Sequence, residues 1–380
     1  MHKMEAKRYS VLLFVVGSMV LVHSCVVPFT PPEVNADESY LVVDGFLNAG
    51  QDTSRFELRR SQNINQIVSP VIERGALLTI EEESGGHFAL TEKGAGHYIL
   101  PPVQLDRGSK YRLLIATSNG KEYISEYVPV TITPAIDSIT YRLNPENTAM
   151  VFYVNTHDDQ SRTQFYRWKF EETWEYEAAY VSNLELEGED IIARKEQINR
   201  CWADRRSGSI LLGTTIKLSN DIIRDQPLNV VPISTNKLSR KYSILIRQYG
   251  LSRPAFEYWT SLAKTTQITG SLFDAKPSQV TGNITSTGDK KDLVFGYFSV
   301  ATEETKRIFI SPRLGNYARC IAPDTIPIAC YPGEVCAKMA PGLLLNYYGF
   351  RSEFVLVAPA SCADCRLEGG TTVRPAFWDN

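Results

Sequence analysis

The chain has 380 residues, of which 43% are hydrophobic and 22% are charged, and its formal net charge is −3. A surface with this slightly acidic balance offers nucleic acid no electrostatic attraction, so nucleic-acid binding is not expected. The length exceeds what one hydrophobic core normally covers and predicts two or three domains.

The N-terminal residues are arranged like an export signal. Three basic residues among the first eight precede an apolar run over residues 11–22, which is too short to span a bilayer comfortably as a helix. We therefore predict a cleaved signal peptide over residues 1–24. No later apolar stretch is long enough to cross a membrane.

Cys25 directly follows this segment. The motif Val22-His23-Ser24-Cys25 resembles the bacterial lipobox, in which the cysteine thiol receives a diacylglycerol, although His23 stands where a small residue is usual. We expect lipid on Cys25 to hold the chain to a membrane, since several acyl chains give stable attachment. The alternative is an ordinary secretory signal with an incidental cysteine. Residues 25–38 are proline-rich and aperiodic, which predicts an extended tether.

Residues 39–133 predict an immunoglobulin- or fibronectin-III-like β-sandwich, because about seven short segments alternate apolar and polar residues. Asn119-Gly120 predicts a hairpin with a type I′ turn, which needs positive φ at both central residues. Gly94-Ala95-Gly96 predicts a second turn. The run from Leu105 to Tyr111 is similar to the tyrosine corner of fibronectin type III domains, in which the tyrosine hydroxyl donates to upstream backbone.

Residues 134–318 predict a larger β-rich domain with helical insertions. Its clearest strand runs from Tyr166 to Tyr176, with aromatic residues at even positions and polar residues at odd positions. Glu172 breaks this alternation, which predicts a bulge or an end to burial at that point. Further strands are expected at residues 138–143, 150–155, 242–248, 293–299 and 307–311.

Two short patterns predict helices within this domain. Ser219 is placed to cap a short helix through Ile223. Ser252 precedes Arg253-Pro254 and is expected to be an N-cap with proline in the first turn. The apolar residues that follow fall on one helical face, as expected for a helix that packs on the domain.

Residues 319–380 form a Cys-rich segment with little apolar periodicity. Its order is expected to come from disulfides rather than from a core. Six cysteines remain after Cys25, an even number in an exported chain, so disulfides are the expected state and the sequence leaves every pairing open. The disulfide candidates are Cys201, Cys320, Cys330, Cys336, Cys362 and Cys365.

The run Cys362-Ala-Asp-Cys365 has the spacing of redox and zinc motifs. A thioredoxin-type site needs the first thiol at a helix start within a βαβ unit, and the residues from Arg366 to Gly370 do not continue as a helical pattern. We therefore expect a structural disulfide role, with redox and metal roles as alternatives.

The aromatic strand supplies the only binding candidates. Trp168, Trp174 and Tyr176 could form a platform on which sugars or peptides stack. Such a face is more often the core of a sandwich, which is the alternative to a binding surface.

No catalytic, metal-binding or cofactor motif is apparent. His87, His97 and His157 stand in no HExxH pattern and beside no nucleophile motif. For an exported hydrolase, the least implausible acids are Glu171 and Glu172. Neighbouring residues of a strand point to opposite faces, so these two cannot act as an acid/base pair without a bulge.

Several stretches distributed over nearly the whole mature chain carry a family resemblance. Together they resemble a family of Bacteroidota outer-membrane lipoproteins known as domain of unknown function 4249. The stretches are Leu41-Val-Val-Asp-Gly45, Tyr166-Arg-Trp-Lys-Phe-Glu-Glu-Thr-Trp174, Lys241-Tyr-Ser-Ile-Leu-Ile-Arg-Gln248, Tyr258-Trp259, Gly270-Ser-Leu-Phe-Asp274, Gly282-Asn283-Ile284, Gly296-Tyr297-Phe298, and Cys362-Ala-Asp-Cys365 through Pro375-Ala-Phe-Trp378.

This resemblance implies a location and a role but no binding residues. It implies a non-catalytic, lipid-anchored protein of the outer membrane, on its periplasmic or its outer face, that is an accessory or ligand-binding partner of a TonB-dependent nutrient-uptake receptor. The alternatives are a surface adhesive or structural lipoprotein and an exported hydrolase.

Overall fold

The computed structural model describes residues 39–62, 71–267, 280–289, 291–314, 320–350 and 352–378. The predicted signal peptide, the predicted lipidation site Cys25 and the predicted tether up to residue 38 lie outside these residues. Within them the fold is mainly β, as predicted, and consists of two sandwiches and a smaller C-terminal module.

The first sandwich has a continuous 13-stranded sheet whose two halves enclose one hydrophobic core. Phe56, Ile80, Tyr98 and Leu113 come from different strands and are almost completely buried in this core. The strands before residue 134 are β1 (Leu41–Asn48), β2 (Ser54–Arg60), β3 (Val71–Ile72), β4 (Leu77–Glu82), β5 (His87–Ala89), β6 (Thr91–Glu92), β7 (His97–Leu100), β8 (Lys110–Ala116), β9 (Glu122–Ser125) and β10 (Val128–Thr131).

Three late strands complete this sandwich, which corrects the expectation that residues 39–133 contain all of it. They are β20 (Ile284–Ser286), β21 (Val294–Phe295) and β22 (Val300–Ala301). The first pairs with β9, the second runs parallel to β1, and β22 lies between β1 and β10, parallel to both. Parallel pairing needs a long crossover, and the second domain supplies that connection.

The local motifs of this sandwich are present, with one change of turn type. The Tyr111 hydroxyl donates to the Asp106 carbonyl at 3.0 Å, which confirms the tyrosine corner. The Asn119-Gly120 hairpin forms between β8 and β9, but only Gly120 has positive φ. A type I turn followed by Gly120 therefore replaces the type I′ turn, and the Thr117 hydroxyl stabilises it by donating to Asn119 Oδ1 at 2.6 Å.

The second sandwich packs a three-stranded sheet against a larger one. Trp168, Phe152 and Ile244 lie between them and are completely buried. The first sheet has β11 (Ile136–Leu143), β12 (Ala149–His157) and β18 (Ile222–Pro232). The second has β13 (Phe165–Glu177), β16 (Arg200–Arg206), β17 (Leu211–Thr214), β19 (Tyr242–Gly250) and β23 (Glu303–Ile310).

One of the two predicted helices forms. Helix α1 (Arg253–Gln267) begins directly after Ser252, whose hydroxyl accepts from the Ala255 N–H at 3.4 Å. The helix predicted from Ser219 is wrong, because the chain turns there and enters β18 at Ile222. The Thr215 hydroxyl, which donates to the Asp221 carboxylate at 2.5 Å, holds that turn.

The strand expected over residues 293–299 is shorter and divided. Only β21 and β22 form, on either side of Gly296. Gly296 has a φ of +138°, and a Cβ atom there would lie 2.2 Å from the Val43 carbonyl oxygen. The chain passes too close to β1 at this point for any residue with a side chain.

The C-terminal module has a small core of its own, which corrects the expectation of order from disulfides alone. Leu184, Leu344, Val355 and Val357 are buried together in it. Its strands are β14 (Leu184–Glu187), β15 (Asp190–Ala193), β24 (Asp324–Pro327), β25 (Leu343–Tyr348) and β26 (Phe354–Ala358), followed by the short helix α2 (Ala360–Ala363). Across the described residues, no helix combines the length and the apolar character needed to cross a membrane.

Candidate functional site

The aromatic residues of β13 belong to the interior. Trp168 and Tyr176 are 0% and 1% exposed, so no ligand can stack on them. The Trp168 indole N–H donates to Gln248 Oε1, and the Tyr176 hydroxyl donates to the Cys365 carbonyl, both at 2.8 Å. Trp174 is partly buried beneath the Lys237 ammonium, which lies 4.4 Å from the ring centroid. These residues therefore belong to the hydrophobic core and not to a binding platform, the other interpretation that the sequence allowed.

Glu172 is a buried carboxylate in an unbroken strand. The register of β13 with both neighbouring strands continues through it, so neither a bulge nor an end to burial occurs. Glu172 is 2% exposed, forms an ion pair with Lys237 and accepts hydrogen bonds from the Tyr242 hydroxyl at 2.8 Å and Asn229 Nδ2 at 3.1 Å. Burial and the nearby carboxylate raise the pKa of the Tyr242 hydroxyl, which keeps it a donor.

Glu171 points to the opposite, outer face of the same sheet. Its carboxylate accepts from Arg247 Nε at 3.2 Å, and Arg247 also pairs with Glu303 at 3.0 Å. Glu171 and Glu172 are therefore separated by the sheet and do not form an acid/base pair. Among the described residues, no group of three or more histidine, cysteine, aspartate or glutamate side chains is placed to hold a metal ion.

Two further cations lie on the outer face where β1 meets β13. The Arg167 guanidinium stacks on Trp259, 3.4 Å from the ring centroid. Burial lowers the pKa of the Lys169 ammonium, and the carboxylate of Asp44, 3.8 Å away, offsets only part of this effect. The cavity beside them measures about 30 Å³, room for about two water molecules and too small for an organic ligand.

All six disulfide candidates are paired. The bonds join Cys201 to Cys365, Cys320 to Cys362, and Cys330 to Cys336. Cys362 and Cys365 bond to different partners rather than to each other. These pairings agree with the structural role predicted for this CxxC run.

A short segment at the end of the chain lies across the outer face of the second sandwich. We call residues 371–378 the C-terminal strap. Thr371 forms two backbone hydrogen bonds with Trp202, at 2.8 and 2.9 Å, and the Trp378 indole N–H donates to the buried Glu175 carboxylate at 3.0 Å. The Cys201–Cys365 bond ties the chain down just before the strap begins.

Four exposed aromatic residues lie together at the end of the β25–β26 hairpin. We call Tyr347, Tyr348, Phe350 and Phe354 the aromatic tip; their exposed fractions are 46%, 55%, 97% and 39%. Tyr347 and Tyr348 are neighbours on one strand and point to opposite faces, so both sides of the tip are apolar. Sequence reasoning missed the tip, although an aromatic run that does not alternate and surrounds Gly349 was a signal for it.

The structure defines a mainly β protein of two sandwiches and a disulfide-bonded module with an exposed aromatic tip. Residues 26–307 match the model of the family described as Domain of unknown function (DUF4249), and the chain belongs to that family. The match ends within β23, before the last three strands of the C-terminal module, β24 to β26.

Two solved structures are similar to the chain at low sequence identity. A structure of the Yersinia pseudotuberculosis adhesin InvE is 11% identical, with 84% of this chain and 73% of that chain covered and a TM-score of 0.17. A biofilm associated protein, BSP domain, is 8% identical, with 72% and 59% covered and a TM-score of 0.13. None of the curated proteins matches the sequence.

Proposed function

We propose that this protein is a non-catalytic, lipid-anchored outer-membrane protein that serves as an accessory partner of a TonB-dependent nutrient-uptake receptor. The lipobox-like motif at Cys25 supports the anchor. The family resemblance supports the receptor as partner. The aromatic tip is the observation that carries the proposal, because it gives the protein a surface on which another protein can dock.

The tip has the properties of a protein-binding surface. Contiguous exposed apolar groups on soluble proteins mark sites of interaction, and tyrosine is among the residues that dominate binding energies. The tip also lies on a small module that contains two disulfides, Cys320–Cys362 and Cys330–Cys336. A pre-ordered surface loses little conformational entropy on binding, which favours affinity.

Affinity purification from native outer membrane tests the partnership. The wild-type chain should recover a TonB-dependent receptor near equal stoichiometry. The double variant Tyr348→Ser, Phe350→Ser should recover at least tenfold less, since it removes two contact groups without touching the core. Leu77→Ser is the matched control, because Leu77 is 75% exposed on the first sandwich and should leave recovery unchanged. Failure of the wild-type chain to recover any transporter would count against the proposal.

The anchor is tested separately. Mass spectrometry of the native protein should find an acylated N-terminal Cys25, and Cys25→Ala should move the protein from the membrane to the soluble fraction. An unmodified N-terminus downstream of Cys25 would contradict lipid anchoring. Complete protection of the chain from protease added to whole cells would exclude the adhesive alternative while leaving the receptor proposal intact.

A further inference from the structure

A cleft of about 190 Å³ lies between the C-terminal strap and the outer face of the second sandwich. We call it the strap cleft. Glu171 and Thr173 of β13 line it together with Arg206 of β16 and Arg307 of β23, and Phe377 of the strap lies on its other side. The cleft is therefore built from residues far apart in the sequence, and the disulfide at Cys365 holds the strap that closes it.

The sheet register places two arginines on one row across the cleft. Arg206 is opposite Glu171, which is opposite Leu245, which is opposite Arg307. Three steps between strands separate the two arginine Cα atoms by roughly 14 Å. The two arginines thus lie on either side of a floor formed by two strands, β13 and β19.

Neither arginine is neutralised within the described part of the chain. The Glu171 carboxylate is held by Arg247, and no carboxylate lies within ion-pair distance of Arg206 or Arg307 there. Arg307 donates to the Ser243 hydroxyl at 3.0 Å, which leaves most of its five donors free. The lack of a carboxylate partner sets these two arginines apart from the buried charges of the same sheet. Its three most buried glutamates each form an ion pair; they are Glu172, Glu175 and Glu303.

The walls of the cleft add flat apolar surface. The Arg307 guanidinium lies 3.8 Å from the ring centroid of Phe377, a stacking contact that fixes the orientation of its donors. Trp202 also lines the cleft, is 7% exposed, and its buried indole N–H has no hydrogen-bond partner. The Trp202 ring therefore offers the cleft apolar surface rather than a hydrogen-bond donor.

We propose that the strap cleft binds a small organic carboxylate that also has a flat or ring-shaped apolar part. The guanidinium of Arg307 receives the carboxylate, since its planar fork of donors matches carboxylate geometry. The apolar part lies against Phe377 and Trp202. Asp204, the other acid of the cleft, selects against ligands with a second negative charge. This inference does not depend on the receptor partnership, so the two can fail independently.

Benzoate and benzyl alcohol form a matched pair of probes, because they share a ring and differ in the carboxylate. Each is titrated into the isotope-labelled mature chain with its disulfides intact, while the indole N–H signal of Trp202 is followed by NMR. The chain has five tryptophans, so Trp202→Phe assigns the signal. We expect saturable shifts with benzoate and at least tenfold weaker binding of benzyl alcohol.

Variants connect the binding to the arginine. Arg307→Met should weaken benzoate binding at least tenfold, and Arg307→Lys should weaken it less because the charge remains. Arg59→Met, at an exposed arginine of the first sandwich, is the control and should change nothing. The same spectra report whether each variant is folded. Equal binding of the two probes, no shift of Trp202 with benzoate, or full affinity in a folded Arg307→Met chain would each overturn the proposal.

Discussion

Buried carboxylates are the distinctive residues of the second sandwich. Glu172, Glu175 and Glu303 have side chains between 3% and 5% exposed, and each is paired with lysine or arginine and also accepts from a neutral donor. A charge removed from water is tolerated only when partners replace its hydration. These pairs therefore specify which strands and loops can lie beside the sheet, whatever their net effect on stability.

The Glu172–Lys237 pair gives a prediction at this scale. Glu172→Gln should lower the free energy of unfolding by about 3 kcal/mol, because Lys237 is left charged and largely buried. Replacing both residues with methionine should recover at least half of that loss, since no charge then remains in the interior. Guanidinium chloride unfolding measures both changes.

Glu171→Gln is the control for this experiment. Glu171 is one-third exposed and forms its ion pair on the solvent side of the same strand, so its loss should cost less than about 1 kcal/mol. Equal losses of unfolding free energy for Glu172→Gln and Glu171→Gln would show that the burial of Glu172 does not make its ion pair more important for stability.

Disulfides act at the scale of elements, and the three differ in what they hold. Cys201–Cys365 joins β16 to the residues before the C-terminal strap and closes a span of 164 residues, whereas Cys330–Cys336 closes a span of 6 within one loop. A longer closed loop removes more entropy from the unfolded chain. The first bond therefore both stabilises the fold and keeps the strap cleft in place.

Removing these two bonds separately should have unequal effects. The double variant Cys201→Ser, Cys365→Ser should lower the free energy of unfolding by roughly 5 kcal/mol. The double variant Cys330→Ser, Cys336→Ser should lower it by roughly 2 kcal/mol, because its closed loop is shorter. Thermal unfolding under non-reducing conditions measures the difference. In hydrogen exchange, only the first double variant should show faster exchange at the backbone amides of Trp202 and Thr371. Wild-type exchange rates at these amides would contradict the role of Cys201–Cys365 in holding the strap.

At the scale of the whole molecule, the two sandwiches are interleaved along the chain. The first is begun by residues 41–131 and completed by β20, β21 and β22 after the chain has passed through most of the second. Phe298, which is completely buried in the first core, comes from this late segment. Neither sandwich is therefore a contiguous folding unit.

Fragments test this interleaving. Residues 39–133 alone should fail to fold, because β1 and β10 would lose the strand between them and the core would lose Phe298. The same fragment joined by a flexible linker to residues 280–302 should give a dispersed amide NMR spectrum and a cooperative thermal transition. A folded 39–133 fragment would show that the late strands are dispensable.

Much of the fold was predictable because its signals are local. Apolar and polar residues alternate along β8 and β13, a glycine marks the hairpin at Gly120, and Ser252 with Pro254 marks the start of α1. The tyrosine corner at Tyr111 is complete within six residues of chain. Each of these features is decided by neighbours in sequence, so the mainly β class and most strand positions followed from sequence alone.

The candidate sites were decided by contacts between distant residues. Lys237 meets Glu172 across 65 positions of chain, Cys365 reaches Cys201 across 164, and Phe377 stacks on Arg307 only because the strap returns over the sheet. The sequence by itself determined a β-rich, cysteine-paired chain, because apolar periodicity and the number of cysteines encode those properties. Only the tertiary structure decided which cysteines pair, where the late strands insert and which aromatic residues stay exposed, since pairings over such separations leave no periodic trace in the chain.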